Sequence, residues 1–574
     1  MNFTSLPADA KSILEMTWQD YAPYYSDLES RKVDASTIDA WLDDWSALAS
    51  CVDEQFTRLQ VVTSQYTADK DLQKQFDDFL DKVQPAAKAA DQKMKGKMLG
   101  CGLRPEGFGV ALKMMETEAE IFRTENLPLL AEEQKLANKY DKIMGATTVL
   151  WDGEEKTFWE MYSMYSFETD RSVRERAWKM LSERIYQNRE AVNDLWGELM
   201  AIRLKIAENA GFPDYRAYKW KQNLRFDYTP EDCKSFHAAI EEVAVPAAQR
   251  VYERRKQRLG IEATRPWDRD VDQFGRPALR PAKNVAELNQ KTLNIFEKVD
   301  PKFREYYQSM MDHDLLDLDN RKNKASGAYS LCYNVARLPF IFMSYTNTSL
   351  DAATILHEGG HAFHSFECAH LRFHQKAEDY VPAEFAEVAS MGMELLASPY
   401  MTQEYGGYYS EEENARARIA HLESFIAFLP YMALVDTFQH WIYENPVEAS
   451  DGIKSEEKWG DLWDRFMKGI DYSGFEKDKN IFWHQQGHIH TSPFYYIEYG
   501  LAELGAVQIF GNARRDQKKA VVDYRKALAL GSTVSLPELF ETAGAKFAFD
   551  AETLKDAVDL MEEVIQEMEA KFKE

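Results

Sequence analysis

Apolar side chains recur every three to four positions along most of the chain, a period that predicts amphipathic α-helices. From Ala8 to about Lys256 such segments follow one another with short polar breaks. Trp41, Leu42, Trp45 and Leu48 form one stripe, and Leu195, Leu199, Ile202, Leu204 and Ile206 form a broader one. This half contains a single histidine, His237, and no spacing of metal-binding side chains, so it reads as a helical framework. Periodicity lapses between Leu259 and Pro281, where Arg265-Pro266-Trp267-Asp268 and Gly275-Arg276-Pro277 signal irregular backbone. It resumes from Val285 to about Leu315. Two short β-branched or aromatic runs then predict strands, Gly327 to Cys332 and Phe340 to Tyr345. The expected organisation is a helical N-terminal region over 1–258, an irregular connecting segment over 259–283, and a region over 284–574 that carries the candidate chemistry.

The 574 residues are 45% apolar and 29% charged, the balance of a soluble globular chain with more than one domain. Lys plus Arg is 69 and Asp plus Glu is 95, a formal charge of −26. A surface that acidic repels phosphate backbones and anionic lipid, so neither nucleic acid nor a membrane is expected as a partner. The cysteines, Cys51, Cys101, Cys233, Cys332 and Cys368, lie far apart with no CxxC pair. They read as scattered buried thiols of a reducing compartment, not as a disulfide framework or a thiolate zinc site. Residues Met1 to Asp9 lack the basic head and apolar run of a secretion signal. No stretch approaches the roughly 18 uncharged residues that span a bilayer. The cytoplasm is the expected compartment.

The candidate chemistry follows the second strand. Thr348-Ser349-Leu350-Asp351 is a capping-box pattern that opens a helix, and that helix carries His357-Glu358-Gly359-Gly360-His361. Histidines at i and i+4 project from one face, about 6 Å apart along the axis, so both imidazoles can reach one tetrahedral ion. Glu358 can then take a proton from a water at the open position of that ion. A zinc hydrolase needs a third protein ligand, and Ala362-Phe363-His364-Ser365-Phe366-Glu367 does not supply it in the HExxHxxGxxH manner. A carboxylate on a second helix is the other usual solution. Pro382 at a first helical position starts such a helix, with Glu387 as the expected ligand and Glu384 a candidate one turn earlier. Glu394 lies about 10 Å further along the axis, too far for the same ion, and is either a supporting side chain or an ordinary helix carboxylate. His364 is expected to pack or to support the ligands, and His370 and His374 to be structural.

The two glycines inside the motif cost about 1 kcal/mol each relative to alanine, which points to close approach there by substrate backbone or a neighbouring helix. A second cluster combines His488 with Tyr495, Tyr496 and Tyr499, and Pro493 can start a helix that places Tyr496 and Tyr499 on one face. Phenol and imidazole donors suit the developing oxyanion of peptide hydrolysis.

In these motifs the chain resembles the oligoendopeptidase F branch of the thimet-oligopeptidase superfamily of zinc metallopeptidases. The resemblance rests on His357 to His361 with His364 after it, on Phe385-Ala386-Glu387-Val388-Ala389-Ser390, on Gly327-Ala328-Tyr329, on Thr348, on Arg265 to Asp268, and on Pro493 to Tyr499. It is strong from roughly Lys324 to Gly511. It implies one Zn2+ per chain held by His357, His361 and Glu387, with Glu358 as general base. It implies His488, Tyr496 and Tyr499 as substrate-binding and oxyanion donors, and Gly327, Ala328 and Tyr329 as a strand that pairs with extended substrate. The implied fold is mainly α, an elongated multi-helix two-lobed body with a deep central channel and a small β-sheet beside the active site. The implied reaction is zinc-dependent hydrolysis of internal bonds in short unfolded peptides, with 284–574 as the zinc peptidase catalytic region. Gly359 departs from the family by standing where a bulky residue is common. The tyrosine cluster is more compact than in thimet oligopeptidase itself, which leaves open which tyrosine faces the oxyanion. Three rivals remain: a dipeptidyl carboxypeptidase with the same zinc site, needing a cation such as Arg337 for the substrate C-terminus, a catalytically silent helical peptide-binding protein that keeps zinc for structure, and a plain helical scaffold with no metal.

Overall fold

The periodic segments fold as helices, and contacts gather them into two compact units, in a computed structural model that describes residues 1–374 and 381–572. Among the described residues, five short strands interrupt the helices: β1 (Thr148–Trp151), β2 (Glu154–Thr157), β3 (Leu316–Asp317), β4 (Tyr329–Tyr333) and β5 (Leu338–Phe342). The protein is thus mainly α with a small sheet next to the histidine motif.

The first unit consists of Met1–Glu120, Leu279–Ala417 and Ala502–Phe547. Its helix Ile38–Gln65 buries Trp41, Leu42, Trp45 and Leu48, the stripe that the period predicts, against Tyr21, Leu28, Phe79, Met94 and Met98. Each such side chain contributes roughly 1.5–3 kcal/mol on burial. The second unit consists of Ile121–Ala278, Arg418–Leu501 and Ala548–Glu574. Here the helix Arg189–Ala210 buries Leu195, Leu199 and Ile206, while Ile202 and Leu204 are only half-buried. Arg203 takes the space between them and is fully buried. Its guanidinium donates to Glu133 Oε1 at 2.8 Å, Tyr443 Oη at 3.1 Å and the Ile489 carbonyl at 3.2 Å, which satisfies a cation inside an apolar stripe.

The expected linear division places one boundary within 259–283. One unit boundary, between Ala278 and Leu279, lies in that segment, but the chain also changes unit after Glu120, Ala417, Leu501 and Phe547. The part of the irregular segment up to Ala278 is pinned within the second unit. Asp268 is fully buried and accepts from Arg171 at 2.9 and 2.8 Å and from Arg174 at 3.0 Å. One helix, Glu411–Glu444, has the length and composition to cross a membrane although Glu423 and Asp436 interrupt it, and most of its apolar stretch is buried within the fold.

In the first unit β5 is central, parallel to β3 and antiparallel to β4. The first predicted strand starts two residues later than expected and the second two residues earlier: Tyr329 pairs with Phe342 and Tyr333 with Leu338. Lys324, whose side chain is almost wholly buried, ties this sheet together. Its ammonium donates to the Asp317 carbonyl and Oδ1 (2.9 and 2.8 Å), the Asp319 carbonyl (2.9 Å) and the Met343 carbonyl (2.6 Å). Burial alone would raise the Asp317 carboxyl, but hydrogen bonds from Arg321, Lys324 and Gln65 outweigh it and bring the pKa down to about 2.

A folded-state pKa below the unfolded value of about 3.9 gives stability that is full above that value and lost as pH falls through the folded pKa. Lys324→Met should therefore cost about 3 kcal/mol near neutral pH, the penalty of breaking a buried pair, and less near pH 2. Urea midpoints of the two proteins at both pH values check this.

Candidate metal centre

The motif helix, Ser349–Cys368, starts where Thr348 and Asp351 cap it. Asp351 Oδ2 accepts from the Thr348 amide at 2.6 Å and the Thr346 amide at 3.1 Å, satisfying donors that a helix start leaves open. Ile355, Leu356, Ala362 and Phe363 are buried, and the helix packs on β4 and β5. This packing fixes the rotation that presents His357, Glu358 and His361.

The second helix, Ala383–Ala397, begins one residue later than the sequence suggests. Pro382 is its N-cap, and its carbonyl accepts from Phe385 N at 2.9 Å and Ala386 N at 3.1 Å. The two helices cross at the motif glycines. A Cβ on Gly360 would lie 2.5 Å from the Ala389 carbonyl oxygen and 2.6 Å from Ser390 Cα. On Gly359 it would meet the Phe296 ring at 2.6 Å, so that ring fills the space a bulky residue would otherwise need. The close approach is by protein, and the Tyr524 hydroxyl donates to the Ala389 carbonyl at 2.5 Å to hold the crossing.

The crossing brings three donors together. His357 Nε2 lies 3.5 Å and His361 Nε2 3.8 Å from Glu387 Oε2, and the three residues form one cluster of potential ligands. Donors bonded at about 2.0–2.2 Å to a tetrahedral zinc ion are about 3.4 Å apart, so the set fits such an ion. Glu384, one turn earlier, is not in the cluster. Ser390 Oγ donates to Glu387 Oε2 at 3.1 Å. Glu394 Oε1 lies 2.7 Å from His357 Nδ1, and because a carboxylate only accepts, Nδ1 keeps its proton and Nε2 is the nitrogen left for a cation. Glu394 thus reaches the far edge of the His357 imidazole and stands outside the cluster of potential ligands.

The electrostatics follow from burial and close charge. Burial disfavours the charged His357, but Glu394 outweighs it and moves the pKa up to about 9, so a cation must displace the Nε2 proton. Burial and the neighbouring His357 push His361 well down. Burial raises Glu358 to about 7 against the opposing effect of His357. Its Oε2 is buried without a hydrogen-bond partner.

The remaining candidates divide between the units. His364 is fully buried beside Phe385, neither ring nitrogen has a partner, and burial lowers it to about 3; it is packing. His370 Nδ1 lies 2.8 Å from the Glu367 carbonyl, and His374 Nε2 2.7 Å from Asp53 Oδ2. Arg337 donates to the Ala369 carbonyl. Gly327, with φ +100°, and Ala328 lead into β4, an edge strand of the sheet, where Tyr329 stacks on Phe342 at 4.8 Å.

His488, Tyr496 and Tyr499 belong to the second unit. The ring centroids of Tyr496 and Tyr499 lie 5.2 and 5.9 Å from that of His488, and the helix begins at Tyr496, three residues after Pro493. Gln486, which went unnoticed in the sequence, orients the imidazole. Its Oε1 accepts from Tyr431 at 2.9 Å, so its amide nitrogen donates to His488 Nδ1, also at 2.9 Å. His488 Nε2 therefore carries the proton and is a donor. Burial lowers its pKa and keeps it neutral.

Residues 164–558 match the model of peptidase family M3. An oligoendopeptidase F homolog of Mycoplasma genitalium is 22% identical over 305 residues, 50% of this chain and 48% of that protein. Oligopeptidase PepF of Bacillus subtilis is 25% identical over 277 residues, 46% of this chain and 39% of that one. The chain thus spans about half the length or less of these curated relatives. A solved structure of PZ peptidase A with an inhibitor superposes with a TM-score of 0.85 at 25% identity, covering 99% of both chains.

Because backbone meets Gly360 and only a ring tip meets Gly359, Gly360→Ala should weaken zinc binding by about tenfold or more and destabilise the fold by about 1–3 kcal/mol. Gly359→Ala should do less, and Phe296→Leu should relieve it. Zinc titration and urea unfolding of the three variants decide this.

Proposed function

The chain belongs to peptidase family M3, within it to the oligoendopeptidase F branch, and from that premise we propose that it is a zinc-dependent endopeptidase of short unfolded peptides. The reading is carried by one observation. A buried carboxyl with a partnerless Oε2, that of Glu358, adjoins three side chains whose donor atoms suit a tetrahedral cation.

His357 and His361 through Nε2, and Glu387 through its carboxylate, would hold the ion. When bound, zinc supplies a Lewis acid that polarises the scissile carbonyl and acidifies water. Glu358, the residue after His357, takes a proton from the attacking water and later gives it to the leaving amine nitrogen. Its raised pKa, near neutrality, suits both halves of that exchange. Glu394 keeps the His357 ring from rotating.

His488 Nε2–H and the Tyr496 and Tyr499 hydroxyls are assigned as donors to substrate carbonyls and the developing oxyanion. The family resemblance and the donor character of the cluster support this role. Gly327, Ala328 and Tyr329 are assigned to main-chain pairing with an extended peptide, a role suited to an edge strand. A dipeptidyl carboxypeptidase would need a cation such as Arg337 for the substrate C-terminus, and the Arg337 guanidinium already donates to the Ala369 carbonyl.

Glu358→Gln should retain zinc and lose about 10²–10⁴-fold in kcat, since it removes the proton carrier and leaves the ligands. Near-normal turnover with zinc bound would remove Glu358 from the mechanism. An internally quenched peptide blocked at both ends should be cleaved by the native protein; cleavage confined to peptides with an unblocked C-terminus would favour a carboxypeptidase.

A further inference from the structure

We propose that the second unit contains another divalent-metal site, structural in character, formed by Cys233, Asp436 and His440 and oriented by His237. Cys233 and His237 stand four residues apart on the helix Pro230–Leu259, and Asp436 and His440 four apart on the helix Glu411–Glu444. That spacing places each pair on one helix face, so two facing helices contribute two polar side chains each. All four are buried, at 0%, 3%, 0% and 2% exposure in chain order. Cys233, Asp436 and His440 each bring a donor atom within 4.8 Å of the other two.

The hydrogen bonds leave the cluster incomplete without a cation. His237 Nε2 lies 2.8 Å from Asp436 Oδ2 and orients the carboxylate. Asp436 Oδ1 is buried with no partner, and His440 Nε2, 3.3 Å from Oδ2, makes no hydrogen bond there. Arg216 Nη1, 3.3 Å from His440 Nδ1, is committed to Glu444 at 2.6 Å. A buried carboxylate needs compensating charge. One divalent ion balances one thiolate and one carboxylate, with a neutral imidazole as third donor. Sulfur, nitrogen and oxygen in that combination select a zinc-class ion.

Trp220 and Phe494 pack against His440 at 6.0 and 5.3 Å, so the surroundings are apolar and closed. Such a site ties two helices together and does no hydrolysis. On binding, the Cys233 thiol releases its proton to solvent. The proton of His440 moves from Nε2 to Nδ1, and Arg216 turns wholly to Glu444, because a guanidinium cannot accept.

Cobalt separates this site from the histidine-glutamate centre, which has no sulfur. The full-length chain, stripped by chelation and titrated with Co2+, should develop sulfur-to-cobalt charge-transfer absorption in the near ultraviolet and bind about two ions per chain. Cys233→Ser should lose the absorption and bind about one. His357→Ala should keep the absorption while losing the other ion. No such absorption in the native chain, or undiminished absorption in Cys233→Ser, overturns the proposal; the native titration decides even where the variant does not fold.

Discussion

The candidate centre depends on one steric contact. Gly360 lets the backbone of the motif helix come within a carbon's reach of Ala389 and Ser390, and only at that separation can a carboxylate from the second helix stand beside two imidazoles from the first. Propensity argues against two consecutive glycines in a helix interior, at about 1 kcal/mol each. The local cost is borne because the crossing itself is rigid: Tyr524 holds the Ala389 carbonyl, Phe296 seats against Gly359, and the sheet backs the helix.

Charge is managed by the same economy of position in several places. At three places where the interior admits an ion, neighbours from other segments answer it. Arg203 is met by Glu133 and carbonyls, Asp268 by two arginines, and Lys324 by a ring of oxygens around the sheet. Each arrangement costs desolvation and gains orientation. Glu358 differs from these three, as Asp436 does, for one of its oxygens is left without any partner. A group kept in that condition is available for chemistry.

What could be read in the sequence was what neighbours along the chain decide. The helical stripes, the cap at Thr348 and the i, i+4 histidines are local, and the third donor was recoverable because a carboxylate on a following helix is a common solution. Glu394 was half legible: its separation from Glu387 along the axis follows from helix rise, but its reach to the far imidazole nitrogen needs the crossing angle. The β1–β2 hairpin was missed although Asp152 and Gly153, at φ 49° and 90°, make the tight turn, because periodic helical segments surround so short a strand pair. Arg203 was invisible because an apolar stripe counts only apolar residues. Cys233 and His237 read as scattered because their partners lie some 199 residues further on, in a helix whose acid and histidine carry no motif.

The alternation of the chain between its two units has a consequence for biosynthesis. The unit with the histidine motif draws its segments from the amino end, the middle and the stretch up to Phe547. Tyr524, which steadies the helix crossing, is in the last of these segments. A nascent chain emerging from the ribosome therefore passes through a long interval in which the ligand helices exist but their clamp does not. Vectorial folding of one half and then the other is closed to this topology, and the window in which apolar faces await their complement is set by the rate of translation.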